Sequence, residues 1–190
     1  MHMITRHQPT AELGARSRGF TLLEVLVSLI IISIGLLGIA KIHALAYSST
    51  ATANSRSLVA LQASGLAASM HTNRTYWAFG VQPPAVNIIG SAGGAFTIDD
   101  AGLNTPANCY FPAAACTPDV MAAFDLQNYG AQLSAALPNS VPKTTITCEV
   151  VNQPVTCTIL VTWSEKQVAV NQQGTAAATF PSNYMLYVEP

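Results

Sequence analysis

The sequence predicts an α+β protein in which a long N-terminal helix packs against an antiparallel β-sheet and the head is tied by disulfides. Three observations predict it. No proline interrupts Phe20 to Asn73, which leaves that stretch free to run as one helix. Residues Val141 to Trp163 hold two β-branched runs, TTITCEVV and VTCTILVTW, on either side of Asn152-Gln153-Pro154, the pattern of a hairpin. All four cysteines, Cys109, Cys116, Cys148 and Cys157, lie in the C-terminal half.

The chain has 190 residues, half of them hydrophobic and only 9% charged, which is apolar for one modest domain. Much of that apolar character is concentrated in Phe20 to Ala40, FTLLEVLVSLIIISIGLLGIA, twenty-one residues with the single charge of Glu24. As a helix this segment is long enough to cross a hydrocarbon core of about 30 Å. The nineteen residues before it carry Arg6, Arg16 and Arg18 against Glu12, so by the positive-inside rule they stay cytoplasmic and the C-terminal bulk faces out. Beyond residue 19 the charge balance is a net of minus three. There is no basic patch to hold nucleic acid phosphates. The domain organisation read from this is a leader over 1–19, a helix over 20–73 whose first part, 20–40, spans the membrane, and an extracytoplasmic head over 74–190.

After Lys41 the apolar residues Ile42, Leu45, Ala46, Leu58, Leu61, Leu66 and Met70 fall near helical spacing among polar residues, so the span continues as an amphipathic helix. Fifty-four residues from Phe20 to Asn73 would be about 80 Å long, so half of the helix must pack on something other than lipid. Gly35 and Gly38 mark where it could loosen, or where helices could pack closely through small residues. Thr75 to Pro118, punctuated by Pro83-Pro84, Gly90, Gly93-Gly94, Pro106 and Pro112, reads as irregular loop with one or two short strands. Thr117-Pro118-Asp119 opens a helix with an N-cap, a first-turn proline and a dipole-compatible acid. Val120, Met121, Phe124, Leu133 and Leu137 lie on its apolar face, Pro138 stops it, and Gly130 is a point of division. Gln167–Val170 and Asn183–Val188 supply further strands of a three- or four-stranded sheet.

Pairing Val151 with Pro154 places Glu149 opposite Thr156 and Cys148 opposite Cys157. Counted outward from a two-residue turn, the cysteines form a non-hydrogen-bonded pair with Cα atoms about 4.5 Å apart, within disulfide range. Four cysteines allow three pairings. The register argues for Cys148–Cys157, and Cys109–Cys116 then follows by elimination. Zinc is the rival use, but C-x6-C and C-x8-C are not tight knuckle spacings, and an exported chain meets an oxidising compartment.

No catalytic constellation emerges. Beyond residue 19 only His43 and His71 remain, about 40 Å apart along the predicted helix. Asp99-Asp100-Ala101-Gly102-Leu103-Asn104 lacks the spaced oxygens and closing glutamate of a calcium loop and reads as a solvated turn. Tyr76, Trp77 and Phe79 read as packing of the head on its stalk, with a partner patch as the alternative. No enzyme, cofactor or metal is expected.

The residue that calls for a use is Glu24. A carboxylate in mid-membrane costs about 2.5–3.5 kcal/mol, reduced here by closeness to the cytoplasmic interface. Cleavage after Gly19 would place an amine at Phe20, four residues away, which a neighbouring subunit's carboxylate could meet.

Arg18, Gly19, Phe20, Thr21, Leu22, Leu23 and Glu24 resemble the signature of the type IV pilin and pseudopilin family. That signature is a short basic leader, then Gly and Phe-Thr-Leu-x-Glu opening an apolar helix. The resemblance implies a type IV pilin-like fold, cleavage between Gly19 and Phe20 by a membrane aspartic peptidase that methylates the new amine, and a role for Glu24 in assembly. LLEVLVSLIIISIGLLGIAKIHALA and His71-Thr72-Asn73-Arg74 are similar to PilV-type minor pilins, with Asp125, Leu133, Leu137-Pro138, Cys148 and Val161-Thr162-Trp163 continuing the likeness. The likeness is dense over Arg18 to Arg74 and patchy over Cys116 to Trp163. It implies a structural minor pilin that primes or modifies pilus assembly, with effects on adhesion and twitching. Its partners are other minor and major pilins, the prepilin peptidase and the inner-membrane assembly platform. It would sit in the inner membrane of a Gram-negative bacterium with its C-terminus periplasmic, then in the surface pilus. The alternatives are a pseudopilin of a type II secretion system and a membrane-anchored periplasmic binding domain.

Overall fold

The computed structural model describes residues 19–79, 81–91, 93–110, 116–138, 140–149, 154–167 and 178–190. The elements are α1 (Leu22–Thr72), α2 (Arg74–Trp77), β1 (Ala85–Gly90), β2 (Phe96–Ile98), α3 (Pro118–Ala136), β3 (Lys143–Glu149), β4 (Thr156–Gln167) and β5 (Ala178–Val188). The chain forms two compact units, Met1–His43 and Ala44–Pro190. In the first, the described part of the apolar helix passes Gly35 and Gly38 without a break.

In the second unit the long N-terminal helix packs on an antiparallel sheet of five strands in the order β2-β1-β3-β4-β5. Val59, Ala63, Leu66 and Met70 are its buried residues, an i, i+4, i+7, i+11 stripe along one side. Leu61 and Ile42, expected with that stripe, are exposed. Strand alternation supplies the other wall: Val86 and Ile88 from β1, Thr144, Ile146 and Cys148 from β3, and Cys157, Ile159, Val161 and Trp163 from β4 are buried, every second residue on each strand.

The hairpin register matches the count made from the turn, with Glu149 opposite Thr156 and Cys148 opposite Cys157. Both disulfides are formed, Cys148–Cys157 with its Cα atoms 4.0 Å apart and Cys109–Cys116 at 5.9 Å. The positions of Val150 to Gln153, which include the centre of the predicted turn, lie outside the described residues.

Three expectations need correction. Gln167 belongs to no separate strand; it ends β4, which runs on past Trp163 through Ser164, Glu165 and Lys166, and Val168 to Val170 lie outside the described residues. The continuation is supported from α1. Glu165 is buried, and Arg56 on α1 grips it with two bonds, Nε to Oε1 at 3.1 Å and Nη2 to Oε2 at 2.9 Å, while Trp163 Nε1 donates to Oε1 at 3.0 Å. A buried carboxylate is tolerable only when so bonded.

The apolar face of α3 is also not the expected one. Leu133 and Leu137 are buried as predicted, but Val120 is exposed and Met121 and Phe124 are half-buried, while Ala122, Ala123, Leu126, Tyr129 and Gly130 face the core. Small side chains let this face approach β1 and β2 closely. Gly130 therefore does not divide α3: a Cβ there would meet the Phe96 ring at 2.6 Å, so the glycine is where helix and strand β2 touch. Tyr129 Oη and Thr144 Oγ1 share a hydrogen bond of 2.9 Å across the same interface.

The third correction is the strand count, five against three or four. β5 begins at Ala178, ahead of Asn183, and includes Pro181. Proline cannot donate to a ladder, but β5 is an edge strand, where one side needs no partner.

Arg56 holds the Glu165 carboxyl below the usual carboxylate range, chiefly through its hydrogen bond, against the opposing effect of burial. A depressed folded-state value means that Glu165 contributes stability above the ordinary carboxylate pKa of about 4.3 and loses it as pH falls through the depressed value. In denaturant melts the wild-type chain should therefore exceed Glu165→Gln by its full margin at pH 7. That margin should shrink as the medium is acidified to about pH 3; an unchanged margin would show that the pair contributes nothing to folding.

Candidate functional site

The sequence-predicted processing and assembly residues sit together at the start of α1. Gly19 and Phe20 precede the helix, and Glu24 lies in its first turn, where a carboxylate suits the helix dipole. Thr21 shapes this end, since its Oγ1 accepts the Glu24 backbone N–H at 3.3 Å and its carbonyl accepts the same N–H at 3.1 Å. Thr21-Leu22-Leu23-Glu24 is the Thr-x-x-Glu spacing of a capping box, a signal legible in the sequence but overlooked there.

Among the described residues, no packing contact accounts for the residue types at this end. A Cβ at Gly19 would meet no atom within 4 Å, so local packing does not demand glycine. Phe20 is 81% exposed and Leu22 90% exposed. From Val25 to Ile42 the large apolar side chains are exposed on every side of the helix, and α1 is long and apolar enough to cross a membrane. Burying such a surface is favourable by about 25 cal/mol per Å², and only lipid or other chains can bury it. Glu24 is the one acid on it, with the whole apolar segment on its C-terminal side.

The other predicted residues belong to the second unit. Cys148–Cys157 ties the β3–β4 hairpin inside the core. Cys109–Cys116 closes a loop ahead of α3. Tyr76 and Trp77 are buried in an edge-to-face pair with ring centroids 5.0 Å apart, whereas Phe79 is 73% exposed. Asp99 and Asp100 serve the turn that contains them. The Asp99 carboxylate accepts from the Asn87 backbone N–H and side-chain amide at 2.8 and 2.6 Å, and Asp100 Oδ1 accepts from the Leu103 N–H at 3.0 Å.

One family model matches the chain, the prokaryotic N-terminal methylation motif, over residues 14–40. No curated protein and no solved structure matches. The matched segment contains Gly19, Phe20 and Glu24, and the motif it carries marks type IV pilin-like proteins, of a pilus or of a pseudopilus.

Proposed function

We propose that this chain is a minor pilin of a type IV pilus, a structural subunit of PilV type that primes or modifies filament assembly and so affects adhesion and twitching. The observation that carries the reading is Glu24, a single carboxylate at the head of an exposed apolar helix within a methylation motif. Prepilin peptidase cuts between Gly19 and Phe20 and methylates the Phe20 amine. In the filament that amine meets the Glu24 carboxylate of a neighbouring subunit, which offsets the cost of an acid among apolar helices. Residues 20–40 hold the subunit in the inner membrane until the assembly platform passes it into the filament. Other major and minor pilins then bury the same surface that lipid covered.

Mass spectrometry of the mature N-terminus, from strains with and without prepilin peptidase, tests the first half. Methyl-Phe20 should appear only with the peptidase. Glu24→Ala tests the second: a charge-assisted bond of about 1.5–3 kcal/mol implies that incorporation into sheared filaments falls by about tenfold or more. An intact or differently cut N-terminus, or normal incorporation of the variant, would defeat the proposal. The motif also serves secretion pseudopilins, and a deletion strain separates the two, losing pili in one case and secretion in the other.

A further inference from the structure

β5 stands at the end of the sheet order, with β4 on one side and no strand on the other. Which of its backbone groups face the open side follows from the hairpin disulfide. In an antiparallel ladder the closely spaced pairs, with Cα atoms about 4.5 Å apart, exchange no bonds and aim their N–H and C=O groups at the strands on either side. Cys148 and Cys157 are such a pair, 4.0 Å apart. Cys148 accordingly donates its N–H to the Pro84 carbonyl, away from β4, at 3.3 Å, and Cys157 turns its own groups to its β5 partner, Val188. Counting back from Val188, every second residue of β5 bonds β4. The residues between them, Tyr187, Met185, Asn183, Pro181 and Thr179, aim their backbone groups outward. Two observations agree. The N–H of Ser164, opposite Pro181, turns from β5 to Ser140 Oγ at 3.0 Å. Pro181, the one residue of β5 without an N–H, falls in the outward set.

Asn183, Met185 and Tyr187 therefore present three N–H and three C=O groups on an open edge, and among the described residues no backbone bond meets them. Both faces of β5 are also incompletely covered. On the α1 side Ile159 and Val161 of β4 are fully buried, whereas Leu186 and Tyr184, their partners on β5, are half-buried. On the opposite face Met185 is 48% and Tyr187 69% exposed. No charged residue lies between Ala178 and Val188, so Pro181 is the only one of the usual guards against edge pairing that β5 carries.

An open ladder is completed by another strand, and β5 is complementary to itself. We propose that β5 pairs antiparallel with β5 of a second copy of this chain, about a two-fold axis through Met185. In that register Met185 exchanges both bonds with its counterpart, and Asn183 exchanges both with Tyr187 on each side of the axis. Pro181 falls opposite Glu189 at the margin, where its missing N–H interrupts nothing; an axis through Asn183 would set Pro181 against Met185 within the ladder. No charge meets its like across the seam. On the α1 side Tyr184 comes opposite Leu186 in the close, non-bonded pairs, an aromatic–aliphatic contact that supplies the cover α1 leaves out. One added strand covers less than the roughly 800 Å² per partner of a stable interface, so the dimer is weak and is best read by trapping it. The inference does not rest on the pilin reading, and its test needs no filament.

The full chain in detergent micelles, carrying single added cysteines, is oxidised with its native disulfides intact. Met185→Cys should link to itself, because bonded pairs hold their Cα atoms about 5.5 Å apart, within disulfide reach. Asn183→Cys should not, its counterpart lying about 13 Å away, yet a mixture of Asn183→Cys and Tyr187→Cys chains should give the mixed dimer. Association through the apolar helices in the micelle would instead link all three positions alike. Met185→Pro, added to both chains of the mixture, should cut the mixed dimer by about tenfold or more through loss of the two central bonds. It spares the β4 ladder, since the N–H it removes points outward. Should Met185→Pro fail to fold in denaturant melts, Met185→Lys takes its place, setting two like charges against each other on the axis. Self-linking of Asn183→Cys equal to that of Met185→Cys, or a mixed dimer unmoved by the proline and the lysine, would overturn the proposal. No dimer in any combination would overturn it as well and leave the edge to a strand of another protein.

Discussion

Trp77→Ala should destabilise the head by about 3–5 kcal/mol, the usual cost of emptying the site of a buried tryptophan. Trp77 is 1% exposed, heads the fully buried side chains by volume, and stacks edge-to-face on Tyr76. It lies four residues beyond the break at Asn73, whose side-chain amide donates to the Pro118 carbonyl at 2.7 Å and so links the end of α1 to the start of α3. The cavity left by Trp77 would open at this junction, where a short α2 has little freedom to collapse into it. Domains of this size are stable by about 5–15 kcal/mol, so the variant should melt many degrees lower, or fail to accumulate. Denaturant melts of the full chain in detergent measure the loss. A value under about 1 kcal/mol would mean that the aromatic pair is not part of the supporting core and would reopen its reading as a partner patch.

How far the sequence discloses this fold varies by element, for physical reasons. The α1 helix was legible because no proline interrupts it, and the hairpin because Cys148 and Cys157 pin a register that period-two patterning already favours. The face of α3 was misread because its sequence carries two candidate stripes. Large residues, Val120, Met121 and Phe124, compete with a small one, Ala122, Ala123 and Gly130, and the small stripe prevails by allowing closer approach to the sheet. The extra length of β4 depends on Arg56, 109 positions away, and no local window contains that partnership. β5 starts at Ala178, five positions ahead of the predicted Asn183, because Pro181, a residue that breaks an interior strand, is harmless at an edge.

The candidate site is legible from end to end. Gly19, Phe20, Thr21 and Glu24 form one linear motif, so the sequence displays the whole of it, and the fold contributes only the capping at Thr21.

The second large effect concerns the hairpin disulfide. Removing a cross-link enlarges the unfolded ensemble by an amount that depends on loop length, and the two bridges close loops of nearly equal length, with sequence separations of 9 and 7. Chain entropy alone therefore predicts about 2.5 kcal/mol for either one. Burial separates them. Cys148 and Cys157 are 6% and 0% exposed within the core, whereas Cys109 and Cys116 are half-buried. Cys148→Ala/Cys157→Ala removes both sulfurs from packed surroundings between β3 and β4, adding about 1–2 kcal/mol of lost burial to the entropic term. Cys109→Ala/Cys116→Ala removes little more than the constraint. Denaturant melts of both double variants should show the hairpin pair losing about 4 kcal/mol and the loop pair about 2.5 kcal/mol. Equal losses would mean that loop closure is the whole effect and that the core packs as well around alanines as around the bridge. A larger loss at Cys109–Cys116 would mean that the loop ahead of α3 carries structure that the hairpin, already held by its ladder of backbone bonds, does not need from its own bridge.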